Sequence, residues 1–406
     1  MILTTVFSLL FGLSACDSSF DVVVYGATPA GIAAATASAT LGMRVGLFES
    51  LPMIGGMGAA GNLGLHDGFS QTPLSGLALK FAMLNAKAYG VDHPVGQAES
   101  FVSNASFYEM LEESGIETVE LSCRLLGATS SASGTIESIN VACKDTPIRG
   151  KVFVDASYDG EIMVAANISH THGRESRAMY NESLAGARIP TISPVKVNAL
   201  RDDGTLLKYV QNISELAAPG EADDALMAFQ HRLCISGDPD RLAWKKPPKY
   251  NREDFILFER YINASGGTFH GFGWPPQKLK NFGYPGKKDK YTLCCGISIA
   301  ASDQPHLNAG WSTASWDSKQ QIIEDHTYFE LGMFYFLAND EAVPPNVRTE
   351  FNRYGLCADE FADFGHIPPQ IYIRESNRLV SDYVMTQNNI ANPRWQNDSV
   401  AIANWW

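Results

Sequence analysis

Phe20-Asp21-Val22-Val23-Val24-Tyr25, followed at once by Gly26-Ala27-Thr28-Pro29-Ala30-Gly31 and, past an alanine-rich run, by Arg44-Val45-Gly46-Leu47-Phe48-Glu49, is the stretch that decides the fold. The β-branched and aromatic run at 20–25 predicts a strand buried on both faces. Gly26 breaks it. Pro29 to Leu41 predicts a helix, with Gly42 as its C-terminal stop. Residues 44–49 predict a second strand. A strand, a tight turn, a helix and a strand within about 30 residues form a βαβ unit, the building block of a nucleotide-binding parallel sheet.

The turn reads Gly26-x-Thr28-x-x-Gly31, a variant of the dinucleotide fingerprint in which Thr28 replaces the middle glycine. Gly26 permits a turn that a Cβ obstructs, and Gly31 lets the helix lie close on the sheet. Thr28 is a good N-cap and Pro29 suits the first helical position. The free N–H groups of the helix start then face a pyrophosphate. Glu49, at the end of the second strand, is placed to accept hydrogen bonds from both hydroxyls of an adenosine ribose. A second glycine-rich segment follows, Ile54-Gly55-Gly56-Met57-Gly58 and Gly61-Asn62-Leu63-Gly64-Leu65-His66. A nicotinamide enzyme has no need of it here. A flavoprotein does, because the chain must run along the extended cofactor toward the isoalloxazine. FAD is therefore the expected cofactor.

Outward from this unit, helices are expected over 75–89 and 106–114. Strands are expected over 117–126 and 135–143, with Lys151-Val152-Phe153-Val154-Asp155 as another buried strand and a helix over 160–166. From 190 to 310 the pattern weakens into scattered Pro, Gly and aromatics, Trp244, Trp274 and Tyr284 among them. A long helix over 318–339 ends before Pro344-Pro345, and a shorter helix follows. A strand over 370–373 and a last helix over 375–385 complete the reading.

Val24-x-Gly26-x-Thr28-Pro29-Ala30-Gly31, Glu49, Ile54-Gly55-Gly56-Met57 and Val152-Phe153-Val154-Asp155-Ala156-Ser157-Tyr158-Asp159-Gly160 resemble the FAD-dependent oxidoreductase family with a glutathione-reductase-type FAD domain, whose members include xanthan-lyase-like proteins. Gly173 to Gly186, Gly332 to Asn339, Gly355 to Phe361 and Tyr372 to Tyr383 extend the resemblance over roughly residues 20–390. It implies an α/β fold with a Rossmann-like parallel sheet, a β-meander insertion and a mixed substrate-facing region. It implies that Gly26, Thr28, Pro29, Ala30 and Gly31 surround the pyrophosphate and Glu49 the ribose. Gly55, Gly56 and Met57 would pass along the FAD, with Asp155 and Ala156 beneath it. Residues 20–166 would form the FAD domain and 167–406 the substrate-facing region. Members continue past a tryptophan-rich stretch into a segment that closes over the isoalloxazine, so 167–406 is expected to be C-terminally incomplete.

With 31 Lys+Arg against 44 Asp+Glu the formal net charge is −13, and no basic cluster exceeds Lys287-Lys288 with Lys290, so nucleic acid is not an expected partner. Hydrophobic residues at 45% exclude an acidic disordered chain. The apolar run before Cys16 is about 14 residues, too short to span a membrane but suited to a signal-peptide core. Ser14-Ala15 supplies a cleavage site, and Leu13-Ser14-Ala15-Cys16 also resembles a bacterial lipobox. Residues 1–16 are accordingly expected to be a signal-like segment and the protein to be exported. No Cys-x-x-Cys occurs, which disfavours zinc ribbons and thioredoxin chemistry. Cys123 and Cys143 lie on consecutive expected strands and can pair in an oxidising compartment, whereas adjacent Cys294-Cys295 reads as ordinary buried or singly bridged cysteines.

For chemistry beside a flavin, the protein must place a substrate carbon and supply an acid or base. His66, just past the second glycine segment, is the first candidate, against a plain loop histidine. His170 and His172 read as capping residues. They have no third ligand at short spacing, so no metal site is expected. Arg374 and Arg378, one helical turn apart, would face one direction and hold a carboxylate or sugar acid, or else pair with Glu375, Asp382 or Glu360. Hydride transfer between bound flavin and a small organic or sugar-derived substrate is the leading expectation. Elimination on a polysaccharide without net redox, and a non-catalytic nucleotide-binding fragment, are the alternatives. Oligomeric state is not readable.

Overall fold

A computed structural model describes residues 19–64, 74–188, 195–269, 284–287, 289–293, 302–391 and 399. The signal-like segment 1–16, His66, Trp274, Lys288 and Cys294-Cys295 lie outside the described residues.

The fold is α/β. Strands β1 (Phe20–Tyr25), β2 (Val45–Phe48) and β3 (Thr118–Glu120) are followed by β4 (Leu125–Ser130), β5 (Ile136–Val141) and β6 (Ile148–Asp155), in the sheet order β3-β2-β1-β6-β5-β4. β1 lies between β2 and β6, parallel to both, and β3 runs parallel to β2. β4, β5 and β6 pair antiparallel as the meander. β6 serves both halves. Ile148 and Arg149 pair with β5, and Gly150 to Asp155 with β1. The expected strand at 117–126 is thus two strands, broken at Ser122, whose φ is +55°.

Alternation along β1 divides the core. Val22 and Val24 pack with helices α1 (Pro29–Thr40), α2 (Gly76–Tyr89) and α3 (Ser100–Ser114), through Ile32, Phe81, Phe107 and Met110. Val23 and Tyr25 face the meander, through Ile139, Val141 and Cys123. α3 starts at Ser100, earlier than expected, because Val102 and Phe107 are both buried on its inner face. A disulfide joins Cys123 to Cys143.

After α4 (Glu161–Ala165), β7 (His170–Thr171) and α5 (Arg177–Tyr180), a second core forms on α6 (Ile256–Ala264), α7 (Trp316–Asn339) and α8 (Pro345–Arg353). Phe255, Phe258, Phe329, Phe336 and Phe351 fill it, against a three-stranded sheet β10-β8-β9 (Gly355–Leu356, Cys234–Ser236, Lys290–Thr292). A second disulfide, Cys234–Cys357, ties that sheet. α7 begins at Trp316, with Ser315 Oγ accepting from the Ser318 N–H. Among the described residues no helix is long and apolar enough to cross a membrane.

The end of the chain differs from expectation. Residues 371–377 form neither strand nor helix, and Arg378–Leu379 make β11, antiparallel to β7. Ser, Asn and Asp are weak helix formers, and here tertiary partners take over. The Tyr372 N–H donates to Gln230 O (2.9 Å). The Asn377 amide donates to Asp159 O and Ser312 O, both at 3.1 Å.

Candidate functional site

The turn after β1 is built as its residue types require. Gly26 has φ +96°, and a Cβ there would lie 2.7 Å from the Ala156 carbonyl carbon. At Gly31 a Cβ would lie 1.9 Å from Gly26 O. Thr28 caps α1, its Oγ1 accepting from the Gly31 N–H (3.2 Å) and donating to Ala156 O (2.9 Å). Thr28 therefore ties the helix start to the end of β6. Pro29 opens the helix, and the Ala30 N–H has no acceptor among the described residues.

Glu49 is buried and reaches back to the same turn. Its Oε2 accepts the Ala27 N–H (2.5 Å), while Oε1 accepts from the Leu51 N–H (2.9 Å) and Ser50 Oγ (3.1 Å). Burial pushes its carboxyl upward, against the pull of the Leu51 and Ala27 amides. A carboxylate offers about four acceptor positions, so Glu49 retains capacity for a hydroxyl.

The second glycine segment docks on the first. The Gly55 N–H donates to Ala27 O (2.7 Å) and the Met57 N–H to Tyr158 Oη (2.7 Å). At Gly56, φ +45°, a Cβ would lie 2.5 Å from that hydroxyl. Asp155 is used inside the β6–α4 turn. Its Oδ1 accepts from Ser157 N and Oγ, and its Oδ2 from Met163 N (3.0 Å). Ala156 lies under Thr28.

The turn and Glu49 border a cleft at the carboxyl ends of β1 and β6, where a doubly wound sheet binds ligands, whereas Pro29, Ala30, Gly31, Gly55, Gly56, Met57, Asp155 and Ala156 are not among its lining residues. Gly26, Thr28 and Glu49 line it from the sheet side, Trp316 and Lys319 from α7, and Trp311 from the segment just before α7. Glu161 enters the same cleft, with Tyr25 Oη donating to its Oε2 at 2.9 Å. Lys319 pairs with Asp159 at 2.7 Å. Sequence reading missed Glu161 and Lys319. Glu161 follows directly on the Asp159-Gly160 of the quoted motif, while nothing local marks Lys319.

Farther along, Asn62 is a hub. Its amide donates to Arg232 O (2.6 Å), and its Oδ1 accepts from Ser100 Oγ (3.1 Å) and Tyr284 Oη (2.8 Å). Tyr372 lies beneath two guanidinium groups, those of Arg374 (4.4 Å to the ring centroid) and Arg232 (5.8 Å). Arg374 donates through Nε to Ala228 O (2.8 Å), and its buried Nη2 lies 3.5 Å from Asp303 Oδ2 and has no hydrogen-bond partner among the described residues. Neither has the buried Nε2 of Gln230. Arg378 is engaged elsewhere, with Gly173 O (2.7 Å) and Glu175 (2.6 Å). The two arginines therefore share no helix face. His231 is buried and bonds Glu330 through its N–H (2.7 Å) and Nδ1 (3.1 Å), and burial pushes Glu330 upward and His326 down to about 4. His170 bonds Ile168 O, and His172 lies 3.7 Å from Asp224.

The family model described as FAD dependent oxidoreductase matches residues 21–406. No curated protein matches the chain in sequence. Similar solved structures include a 3-ketosteroid-delta4-(5alpha)-dehydrogenase from Rhodococcus jostii RHA1, at 14% identity over 36% of this chain and 48% of that one, TM-score 0.26. A geranylgeranyl bacteriochlorophyll reductase-like protein from Thermoplasma acidophilum is similar at 16% identity over 37% and 42%, TM-score 0.26. An L-proline dehydrogenase from P. horikoshii is similar at 15% identity over 38% and 57%, TM-score 0.28. The matched part spans about half of the length of those chains.

Proposed function

The chain belongs to the FAD dependent oxidoreductase family, and from that premise we propose that it transfers a hydride between bound flavin and a small organic or sugar-derived substrate. It is an oxidoreductase with FAD as cofactor. When bound, the flavin supplies the hydride-accepting and hydride-donating chemistry.

The cleft residues fit a dinucleotide. Glu49 keeps acceptor capacity for a ribose hydroxyl, and the Ala30 N–H at the start of α1, without an acceptor among the described residues, is placed to donate to a phosphate oxygen. Gly55, Gly56 and Met57 continue the track from the turn toward Asn62. The carrying observation is the bond from the Ala27 N–H to Glu49 (2.5 Å), which joins the phosphate turn to the ribose acid as one unit. In this reading residues 20–166 hold the cofactor and 167–406 face the substrate, within the glutathione-reductase-type, xanthan-lyase-like branch. His66 remains the first candidate for the acid or base.

The substrate is read as one carrying a carboxylate, a sugar acid included. Gln230 Nε2, a buried donor with no hydrogen-bond partner among the described residues, and Arg374 Nη2, whose acidic neighbour among them is Asp303 at 3.5 Å, support that reading, because buried N–H groups are rarely left unpaired. Arg374 would position the substrate, and Arg378 would brace the segment that carries Arg374. The disulfides Cys123–Cys143 and Cys234–Cys357 support an exported protein.

The test is the absorbance spectrum of the purified chain before and after denaturation, followed by anaerobic mixing with a panel of carboxylate and neutral substrates. Flavin bands released by denaturation and bleached by a carboxylate substrate are expected. A folded protein that stays colourless with added FAD would overturn the proposal.

A further inference from the structure

Among the described residues lining the nucleotide cleft, Lys319 is the sole cation, set against Glu49, Asp159 and Glu161. Its charge is already matched, since Nζ lies 2.7 Å from Asp159, which also accepts from Trp311 Nε1 at 2.7 Å. Glu161 has no such partner. Tyr25 Oη donates to its Oε2 and itself accepts the Leu125 N–H (2.8 Å), while Oε1 has no donor among the described residues. The charged groups around it are Asp155 and Asp159 on its own turn and Lys319 from α7. Glu49 lies across Tyr25, and Arg124 lies over the Trp316 ring at 5.6 Å. Burial pushes the Glu161 carboxyl up to about 7, against the pull of Lys319 and Tyr25.

A diphosphate presents negative charge and acceptor oxygens only. An ionised Glu161 is also acceptor-only, so the two repel and leave no hydrogen bond between them. A protonated Glu161 keeps Oε2 as the acceptor for Tyr25 and turns Oε1–H into a donor facing the cleft. We propose that this chain binds FAD with Glu161 protonated, so that cofactor loading takes up one proton from solvent. The inference rests on the cleft being the FAD site.

The experiment is titration of the full flavin-free chain with FAD, read by quenching of flavin fluorescence across pH, with proton uptake measured by calorimetry in buffers of different ionisation heat. Linkage predicts a Kd that is flat below about pH 7 and rises by up to about tenfold per pH unit above it, with one proton taken up there. Glu161→Gln, which keeps an acceptor for Tyr25, is expected to bind FAD with a flat profile and no uptake. A wild-type chain that binds FAD with no pH slope and no uptake overturns the inference and leaves the FAD reading standing, as does a slope that persists in Glu161→Gln. A folded wild-type chain that binds no FAD at any pH overturns both. Proton uptake by the wild-type chain decides the matter even where the variant does not fold.

Discussion

Glu49 and Ala27 are bonded side chain to backbone, Oε2 accepting the Ala27 N–H at 2.5 Å across 22 residues of sequence. The acid that closes β2 therefore holds the turn that closes β1. Glu49→Gln keeps the shape but replaces a charged acceptor with a neutral one, at a cost of about 1.5 kcal/mol per lost charge-assisted bond. FAD affinity is expected to fall by about tenfold, measured by fluorescence titration. An unchanged Kd would mean that this carboxylate does not reach the ribose.

Gly31 is the tightest contact in the turn. Gly31→Ala places a Cβ 1.9 Å from Gly26 O, a backbone atom that does not yield cheaply. Overpacking of this kind costs about 1–3 kcal/mol, seen as a lower urea midpoint and as loss of FAD binding. Gly127→Ala, whose Cβ would meet nothing within 4 Å, is the control and is expected to leave both unchanged.

Much of this was legible because it is local. The β1–turn–α1–β2 unit announces itself through period, Gly26 and the Thr28-Pro29 cap, all within one stretch of chain. The Tyr25–Glu161 bond joins residues 136 apart, and the Lys319–Asp159 pair spans 160. Neither has a spacing to read. The segment 370–385 misled for the opposite reason. Ile371 and Ile373 alternate like a strand, and Arg374 and Arg378 are spaced like a helix, but Tyr372 is bonded to Gln230 and Arg378 to Gly173. Long-range partners override a weak local preference.

Arg374 and Arg378 separate into different tests. Arg374→Ala removes a buried guanidinium whose Nη2 has no hydrogen-bond partner among the described residues beyond the 3.5 Å ion pair with Asp303, so flavin binding is expected to persist while KM for a carboxylate substrate rises by tenfold or more, as for loss of a charged hydrogen bond. Gln230→Ala is expected to act in the same direction and less strongly. Arg378→Ala breaks the contacts to Gly173 O and Glu175 and is expected to lower thermal stability at unchanged KM. Equal effects of Arg374→Ala on carboxylate and neutral substrates would remove the assigned role.

Lys290 sits buried among three carboxylates, with Nζ 2.6 Å from Glu99, 2.9 Å from Asp359 and 3.2 Å from Glu360. Glu360 is buried as well, and burial pushes it from its ordinary 4.5 up to about 7, against the pull of Lys290. The folded state thus binds a proton that the unfolded chain releases. Its contribution to stability is fully present below about pH 4.5 and is lost as pH rises through about 7, an effect of at most about 3 kcal/mol. His326 works the other way, since its neutral form is favoured and its contribution fades as pH falls toward about 4. The comparison that isolates Glu360 is therefore wild type against Glu360→Gln, by urea unfolding across that range. The wild type is expected to lose stability relative to the variant as pH rises from about 4.5 to about 7. Parallel curves would show that Lys290 holds Glu360 ionised throughout, and that the cluster is an ion pair rather than a shared proton.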